Sequence, residues 1–211
     1  MIGASTEWAG LIDSMLPEIL ELLVTTWDTM PSPAADQKED DITIAFCRAL
    51  QQNRTARQMM FQIRTQVVEL EPLAGEESGR MDIVFIPLVP REDIYFCLES
   101  KRLNVVKDGK PRSYASEYVK FGMLRFISGQ YSQAVRHGGM IGYVLDGNVS
   151  GAISNVVSNI QSQCAALCMT PPGGLSPSTI LNGDPRARET DHLRPHDSKS
   201  FRLHHVFMAA A

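Results

Sequence analysis

The amino-acid sequence predicts an α/β protein: a mixed β-sheet flanked by helices, in a single domain over residues 1–211. Two observations carry this expectation. Segments with helical spacing of apolar residues alternate with short apolar runs, in the order helix–helix–strand–strand–strand–helix–strand–helix–strand–strand. The strand-like runs are apolar enough to lie centrally in a sheet with both faces covered. A chain of 211 residues that is 44% hydrophobic is long enough to build a substantial core around such a sheet.

The elements follow in order. Residues 6–27 form an amphipathic helix, interrupted or restarted at Pro17. Trp8, Leu11, Met15 and Ile19 make its apolar stripe, suited to core packing or a subunit interface. The Pro- and Ser-containing stretch 30–37 is a linker. A second helix opens at Glu39-Asp40-Asp41, acids that complement the positive end of the helix dipole. Strands are expected at 61–70, 81–89 and 93–103, with turn-like segments at 71–80 and 90–92 between them. A long helix fits 113–135, stopped by Gly138-Gly139. A strand at 140–147 and a helix at 149–167 come next, and then a Pro/Gly/Ser-rich loop at 169–184. Two short strands, 188–194 and 201–208, close the chain. The organisation is thus an N-terminal helical extension (1–30), a core (39–146), and a loop with closing strands (170–211).

Composition narrows the function classes. No run approaches the roughly 18 apolar residues needed to span a bilayer, so no membrane partner is expected. The N-terminus lacks a basic segment and carries Glu7 and Asp13, unlike a signal peptide, which points to the cytoplasm. The four cysteines (Cys47, Cys97, Cys164, Cys168) show no zinc-site spacing and read as buried small hydrophobes, Cys164 and Cys168 sharing one helical face. The net charge of −4 is unevenly divided: residues 1–50 hold nine acids and two bases, leaving the rest of the chain at +3. Bases gather at Lys101, Arg102, Lys107, Lys110 and Arg112, then Lys120 and Arg125, where a nucleic acid would be favoured.

Chemistry concentrates where charge enters the apolar strands. Asp82 falls near the start of one, and Glu99-Ser100-Lys101 near the end of the next. Such charges are costly to bury without partners. Glu99 and Lys101 are two residues apart and share a face of the strand, and an antiparallel neighbour brings Asp82 beside Glu99. Two carboxylates and an ammonium at one sheet edge suit metal-assisted phosphodiester hydrolysis, because Mg2+ takes oxygen ligands and commonly uses one or two carboxylates plus substrate phosphate.

The pattern Met81-Asp82…Glu99-Ser100-Lys101 on consecutive apolar strands, after an acidic helix, resembles the PD-(D/E)XK nuclease superfamily, the restriction-endonuclease-like fold. The resemblance covers residues 39–146, whose helix and strand order is similar to the family's αβββαβ core. It implies that Asp82 bridges metal and phosphate, that Glu99 is a metal ligand, that Lys101 is the catalytic lysine, and that the Ser100 carbonyl lends an oxygen to the metal. It also implies an acid on the preceding helix, for which Glu39 is chosen because it shares a face with Ile42, Phe46 and Ala49, with Asp40 and Asp41 as alternatives. Gln130 and Tyr131 fall where some members place a Gln and a Tyr. Met81 stands in place of the motif's Pro, at a position where the family varies. The implied activity is an Mg2+-dependent endonuclease, with Mn2+ as a substitute cofactor, acting on nucleic acid, DNA foremost. Arg102, Lys107, Lys110, Arg112, Gln130 and Tyr131 would contact the strand. A partner subunit or a homodimer, within phage defence or DNA repair, is the expected setting. The alternative is a catalytically silent nuclease-fold scaffold or nucleic-acid-binding subunit.

Five histidines complete the inventory. His204 and His205 alternate faces on a strand, His137 is expected at a helix C-terminus, His192 lies in the tail where it could approach phosphate, and His196 follows it. Structural roles are expected for them.

Overall fold

The computed structural model describes residues 5–69, 79–88, 94–107, 110–132, 134–196 and 198–210. The turn-like segments at 71–80 and 90–92 fall largely or wholly outside them, as does the side chain of Trp8.

Helix α1 (Ser5–Thr29) runs straight through Pro17 rather than restarting there. A proline inside a helix costs about 3 kcal/mol. Here it sits on the exposed face, while Ile12, Leu16, Ile19, Leu20, Leu23 and Trp27 on the other face are buried. Burying each such side chain contributes roughly 1.5–3 kcal/mol, so packing outweighs the lost hydrogen bond. Helix α2 (Glu39–Gln52) buries Ile42, Thr43, Phe46, Cys47 and Leu50 at helical spacing, and a short helix α3 (Arg54–Gln58) follows, with Asn53 capping its start.

Seven strands form one mixed sheet in the order β1-β2-β3-β6-β9-β8-β7. Strands β1 (Phe61–Val68), β2 (Arg80–Pro87) and β3 (Phe96–Leu103) are antiparallel neighbours. The small hairpin β4 (Val105–Lys107) and β5 (Lys110–Arg112), which sequence patterning did not anticipate, stands outside this sheet. A crossover returns the chain to β6 (His137–Val144), parallel to β3, and α6 (Val149–Ser162) leads on. Of the closing strands, β8 (Ala187–Leu193) lies antiparallel between β7 (Ser176–Pro177) and β9 (Ser200–Ala209), and β9 is parallel to β6. Core side chains line both faces: α1 and α2 pack with Ile83, Phe96, Leu98 and Tyr143 on one, and the crossover and α6 pack with Val84, Cys97, Met140 and Phe207 on the other. Among the described residues no helix is long and apolar enough to cross a membrane.

The crossover departs most from expectation. In place of a helix over 113–135 there are α4 (Ala115–Tyr118), a π turn (Val119–Met123) and α5 (Leu124–Ile127). Gly129, at φ 89°, ends the helical path, and the amides of Gln130 and Tyr131 both close on the Arg125 carbonyl. Gly138 and Gly139 are not a helix stop; they lie in β6, where a Cβ at Gly139 would stand 2.2 Å from Leu98 Cδ2. Cys47 and Cys97 are buried, but Cys164 is exposed and Cys168 half-buried, because α6 ends at Ser162 and the pair shares no helical face.

The histidines also take other places than a sequence reading suggests. His137 opens β6 instead of ending a helix, and its ring stacks on His204 with centroids 5.2 Å apart. His192 is fully buried and faces the core, beyond reach of a ligand phosphate. A buried relay has one consistent set of donors: Tyr118 OH to His205 Nδ1 (2.9 Å), His205 Nε2 to Thr190 Oγ1 (2.9 Å), Thr190 Oγ1 to His192 Nε2 (2.7 Å), and His192 Nδ1 to the Leu167 carbonyl (2.7 Å). Both rings in that relay must be neutral. Burial pulls the His192 pKa down to about 4, that of His204 to about 3, and that of His205 well below its ordinary value. Because the unfolded chain takes up these protons first, the histidines' contribution to stability is full above about pH 6.5 and falls as the pH drops below it, His192 alone removing on the order of 3 kcal/mol by pH 4. Thermal melts across this range should show the midpoint falling steadily below pH 6.5. Substituting His192 by Asn should flatten the slope.

Candidate active site

Strands β2 and β3 pair only as far as Ile83↔Leu98. Beyond that point β2 stays with β1, through Met81↔Val67 and Arg80↔Val68, while β3 stays with β6, through Leu103↔Val144. The sheet therefore opens into a fork. At its base the Asp82 side chain takes over from the ladder: Oδ2 accepts the Ser100 backbone N–H at 2.7 Å. The peptide group freed by the divergence is satisfied, and a carboxylate is fixed in the cleft.

Glu99 projects into the same cleft with only 1% of its surface exposed. Its Oε1 accepts from Lys101 Nζ at 2.8 Å and from Arg125 Nη1 at 2.7 Å. Its Oε2 is buried with no hydrogen-bond partner among the described residues. Lys101 Nζ also reaches the Ser100 carbonyl at 2.7 Å and Glu39 Oε1 at 3.1 Å. Glu39 Oε2 accepts the Arg102 backbone N–H at 2.8 Å, so the N-terminus of α2 is tied to β3 by one carboxylate. Of the three acids that open α2, Glu39 alone turns to the sheet; Asp40 and Asp41 are exposed. The reason is rotational: Glu39 precedes the buried Ile42 and Thr43 by one turn, and Thr43 Oγ1 meets Tyr143 OH, which donates to Ser100 Oγ.

The electrostatics follow from burial. Desolvation, reinforced by Glu99, lifts the Asp82 carboxyl to about 7 against the opposing pull of Lys101 and the Ser100 N–H. Burial likewise raises Glu99, although Lys101 and Arg125 oppose it. Burial disfavours the Lys101 ammonium, but Glu99, Glu39 and Asp82 outweigh that effect and raise its pKa. Three carboxylates thus face two cations, with one buried carboxylate oxygen, Glu99 Oε2, unpartnered among the described residues. A buried acceptor left in this way normally costs about 1–3 kcal/mol, more when charged.

Asp82, Glu99, Ser100, Lys101 and Glu39 are brought together as expected; the proposed strand contacts are more dispersed. Lys110 and Arg112 are exposed on the β4–β5 hairpin, and Lys107 lies on it with its side chain outside the described residues. Arg102 is half-buried and donates to the Gln37 carbonyl at 3.1 Å. Gln130 is half-buried at the rim of a surface pocket. Tyr131 is fully buried, so it cannot touch a bound strand from where it stands; its hydroxyl donates to the Arg80 carbonyl and accepts from Arg125. Arg125 was not among the expected site residues. The sequence offers only its place in the basic run that begins at Lys101, because the π turn at 119–123 takes Arg125 out of ordinary helical register with Tyr118.

Comparison with protein-family models, with curated proteins and with solved structures finds no match to this chain. Among the described residues no group of three or more His, Cys, Asp or Glu side chains is placed to hold a metal ion by itself. The acidic members available in the fork are the pair Asp82 and Glu99, since Glu39 is engaged by Lys101 and Arg102.

The sign of the Asp82 effect opposes that of the histidines. Its raised pKa means that the folded protein gives up stability as the pH rises through the interval from 3.8 to about 7. Asp82→Asn keeps an acceptor for the Ser100 amide and removes the charge. In buffer containing EDTA at pH 8 it should therefore melt several degrees higher than the wild type, whereas at pH 4 the two should melt together.

Proposed function

We propose that the chain is a divalent-cation-dependent nuclease of the PD-(D/E)XK kind, with a restriction-endonuclease-like sheet, hydrolysing phosphodiester bonds in DNA. The observation that carries this reading is the unpartnered, buried Glu99 Oε2 beside Asp82 at the fork of β2 and β3. A site built only for stability would pair that oxygen or replace it with an apolar group. A hard cation fits the donor set of two carboxylates and the Ser100 carbonyl, and Mg2+ commonly takes the rest of its ligands from water and substrate phosphate, which accords with so few protein ligands.

Asp82 and Glu99 would hold the cation, with the Ser100 carbonyl as a further oxygen donor beside them. Mg2+, or Mn2+ in its place, supplies a polarised phosphoryl oxygen and a water acidified for attack. The chain's own residues do the remaining work. Lys101 Nζ, kept protonated by the three carboxylates around it, donates toward charge that develops on the phosphate. Glu39 is a positioning residue, holding Lys101 through Oε1 while its Oε2 anchors α2 to β3. Arg125, paired with Glu99 Oε1 at 2.7 Å, offsets the charge of that carboxylate.

A second reading, a catalytically silent scaffold or nucleic-acid-binding subunit, draws on that same Arg125, whose ion pair with Glu99 partly balances the site without any metal. One set of reactions separates the two. The protein should cleave DNA when incubated with Mg2+ or Mn2+, in parallel with RNA, each single- and double-stranded. Lys101→Ala should lower the rate at least about a hundredfold. Mg2+ should raise the melting temperature of the wild type and leave Asp82→Asn unmoved. Absence of cleavage under every condition, or a Lys101→Ala protein as fast as the wild type, would refute the nuclease.

A further inference from the structure

A pocket of about 500 Å3 lies beside the fork, on the outer side of the crossover, lined by Lys120, Phe121, Arg125, Ser128 and Gln130 among others. Its volume is within the usual range for sites that hold a small organic group. Three observations mark it as more than a surface dent. Phe121 is 57% exposed, the one aromatic among the large hydrophobic side chains exposed in the described residues, so its ring face is open to a ligand. It lines the pocket together with two cations, Lys120 and Arg125, which flank it in sequence. The backbone that presents it is a π turn, a rare conformation that is frequent at functional sites. That turn presses Gly122 inward, where a Cβ would meet Met140 at 2.4 Å and stand 3.8 Å from Glu99 Cγ. The adjoining residues Lys120 and Phe121 are exposed on the outer side.

Arg125 belongs to both places. Its guanidinium bonds Glu99 Oε1 inside the fork, and the same residue lines the pocket outside it. An aromatic face flanked by Lys and Arg is the chemistry that holds an unpaired nucleotide, with the base stacked on the ring and the phosphates near the cations. A duplex offers that ring no base face, because its bases are already stacked on each other.

We propose that this pocket takes an unpaired nucleotide adjoining the bond to be cut, with Phe121 as its stacking platform, so that the site acts on single-stranded or locally unpaired nucleic acid. The inference rests on the nuclease reading for what happens in the fork, but its binding step is independent of cleavage. Charge favours this occupant over an apolar partner: the exposed Lys120 would be desolvated beneath an apolar surface without an anion to meet it.

The test is fluorescence anisotropy in EDTA, where no cleavage occurs, with a short fluorescein-labelled single strand and its duplex. The wild type should prefer the single strand. Phe121→Ala should weaken that binding about tenfold or more while leaving the duplex unchanged, and Phe121→Trp should bind as the wild type does, with its indole emission quenched on addition of unlabelled strand. Equal affinity of wild type and Phe121→Ala for the single strand, or a wild type that prefers the duplex, would overturn the pocket. So would sedimentation showing that Phe121→Ala merely splits a dimer. If single strands bind as expected but no nucleic acid is ever cut, the nuclease reading fails and the pocket stands. If Phe121→Ala binds and cuts as the wild type does, the pocket fails and the nuclease stands.

Discussion

A single hydrogen bond, from the Ser100 amide to Asp82 Oδ2, governs the layout of this protein's working end. Two antiparallel strands cannot part inside a core without orphaning backbone groups, and each orphan is expensive. By supplying a side-chain acceptor where the partner strand withdraws, Asp82 lets β2 follow β1 and β3 follow β6. The cleft so created holds charge, and everything that lines it answers to that charge: Lys101 and Arg125 on Glu99, Glu39 on Lys101, and α2 carried to β3 by Glu39. The fold is thereby less stable around the fork than an apolar seam would be.

The rest of the molecule stabilises what the fork costs. Trp27 stacks on Tyr143, donates to the Ala209 carbonyl and meets Phe46 edge-on, so α1, α2, β6 and β9 converge on one indole. On the opposite face Arg194, buried, lies over the Phe201 ring and donates to the carbonyls of Ser132 and Tyr131. That contact holds the irregular stretch after α5, which lacks a ladder of its own and leads straight into the central strand. The two anchors lie on different faces of the sheet, and β3 and β6 run between them.

Much of this was legible in the sequence, for reasons that are themselves physical. Asp82, Glu99 and Lys101 stood out because charge in an apolar strand demands an explanation, and the two-residue spacing of Glu99 and Lys101 set their common face. The order of helices and strands was readable from periodicity, because the long elements are strongly patterned. Glu39 could not be separated from Asp40 and Asp41 by composition; only the rotation of α2, set by Ile42, Thr43 and Phe46 against the sheet, decides among them. Gly138 and Gly139 misled because glycine marks helix ends and close backbone approach alike, and here the large side chains of Leu98 and Phe126 occupy the space that a Cβ would take. The partner of Glu99 was hidden for another reason. Arg125 lies 26 residues downstream, and its reach depends on a turn that ordinary helical spacing does not describe.

That turn carries a consequence for how the chain tolerates change in length. The π geometry at 119–123 accommodates one residue more than an α-helix would over the same rise. Each residue of a regular helix turns the next by about 100°, so losing one here would let the segment relax into an unbroken helix and swing everything after it around the axis. Arg125 would leave Glu99, and Phe121 would no longer share a rim with it. The protein's tolerance for insertion and deletion should therefore be sharply uneven: generous in the exposed turn at 171–173, and nearly nil across 119–123, where Lys120 and Phe121 face outward while Val119, Gly122 and Met123 are buried.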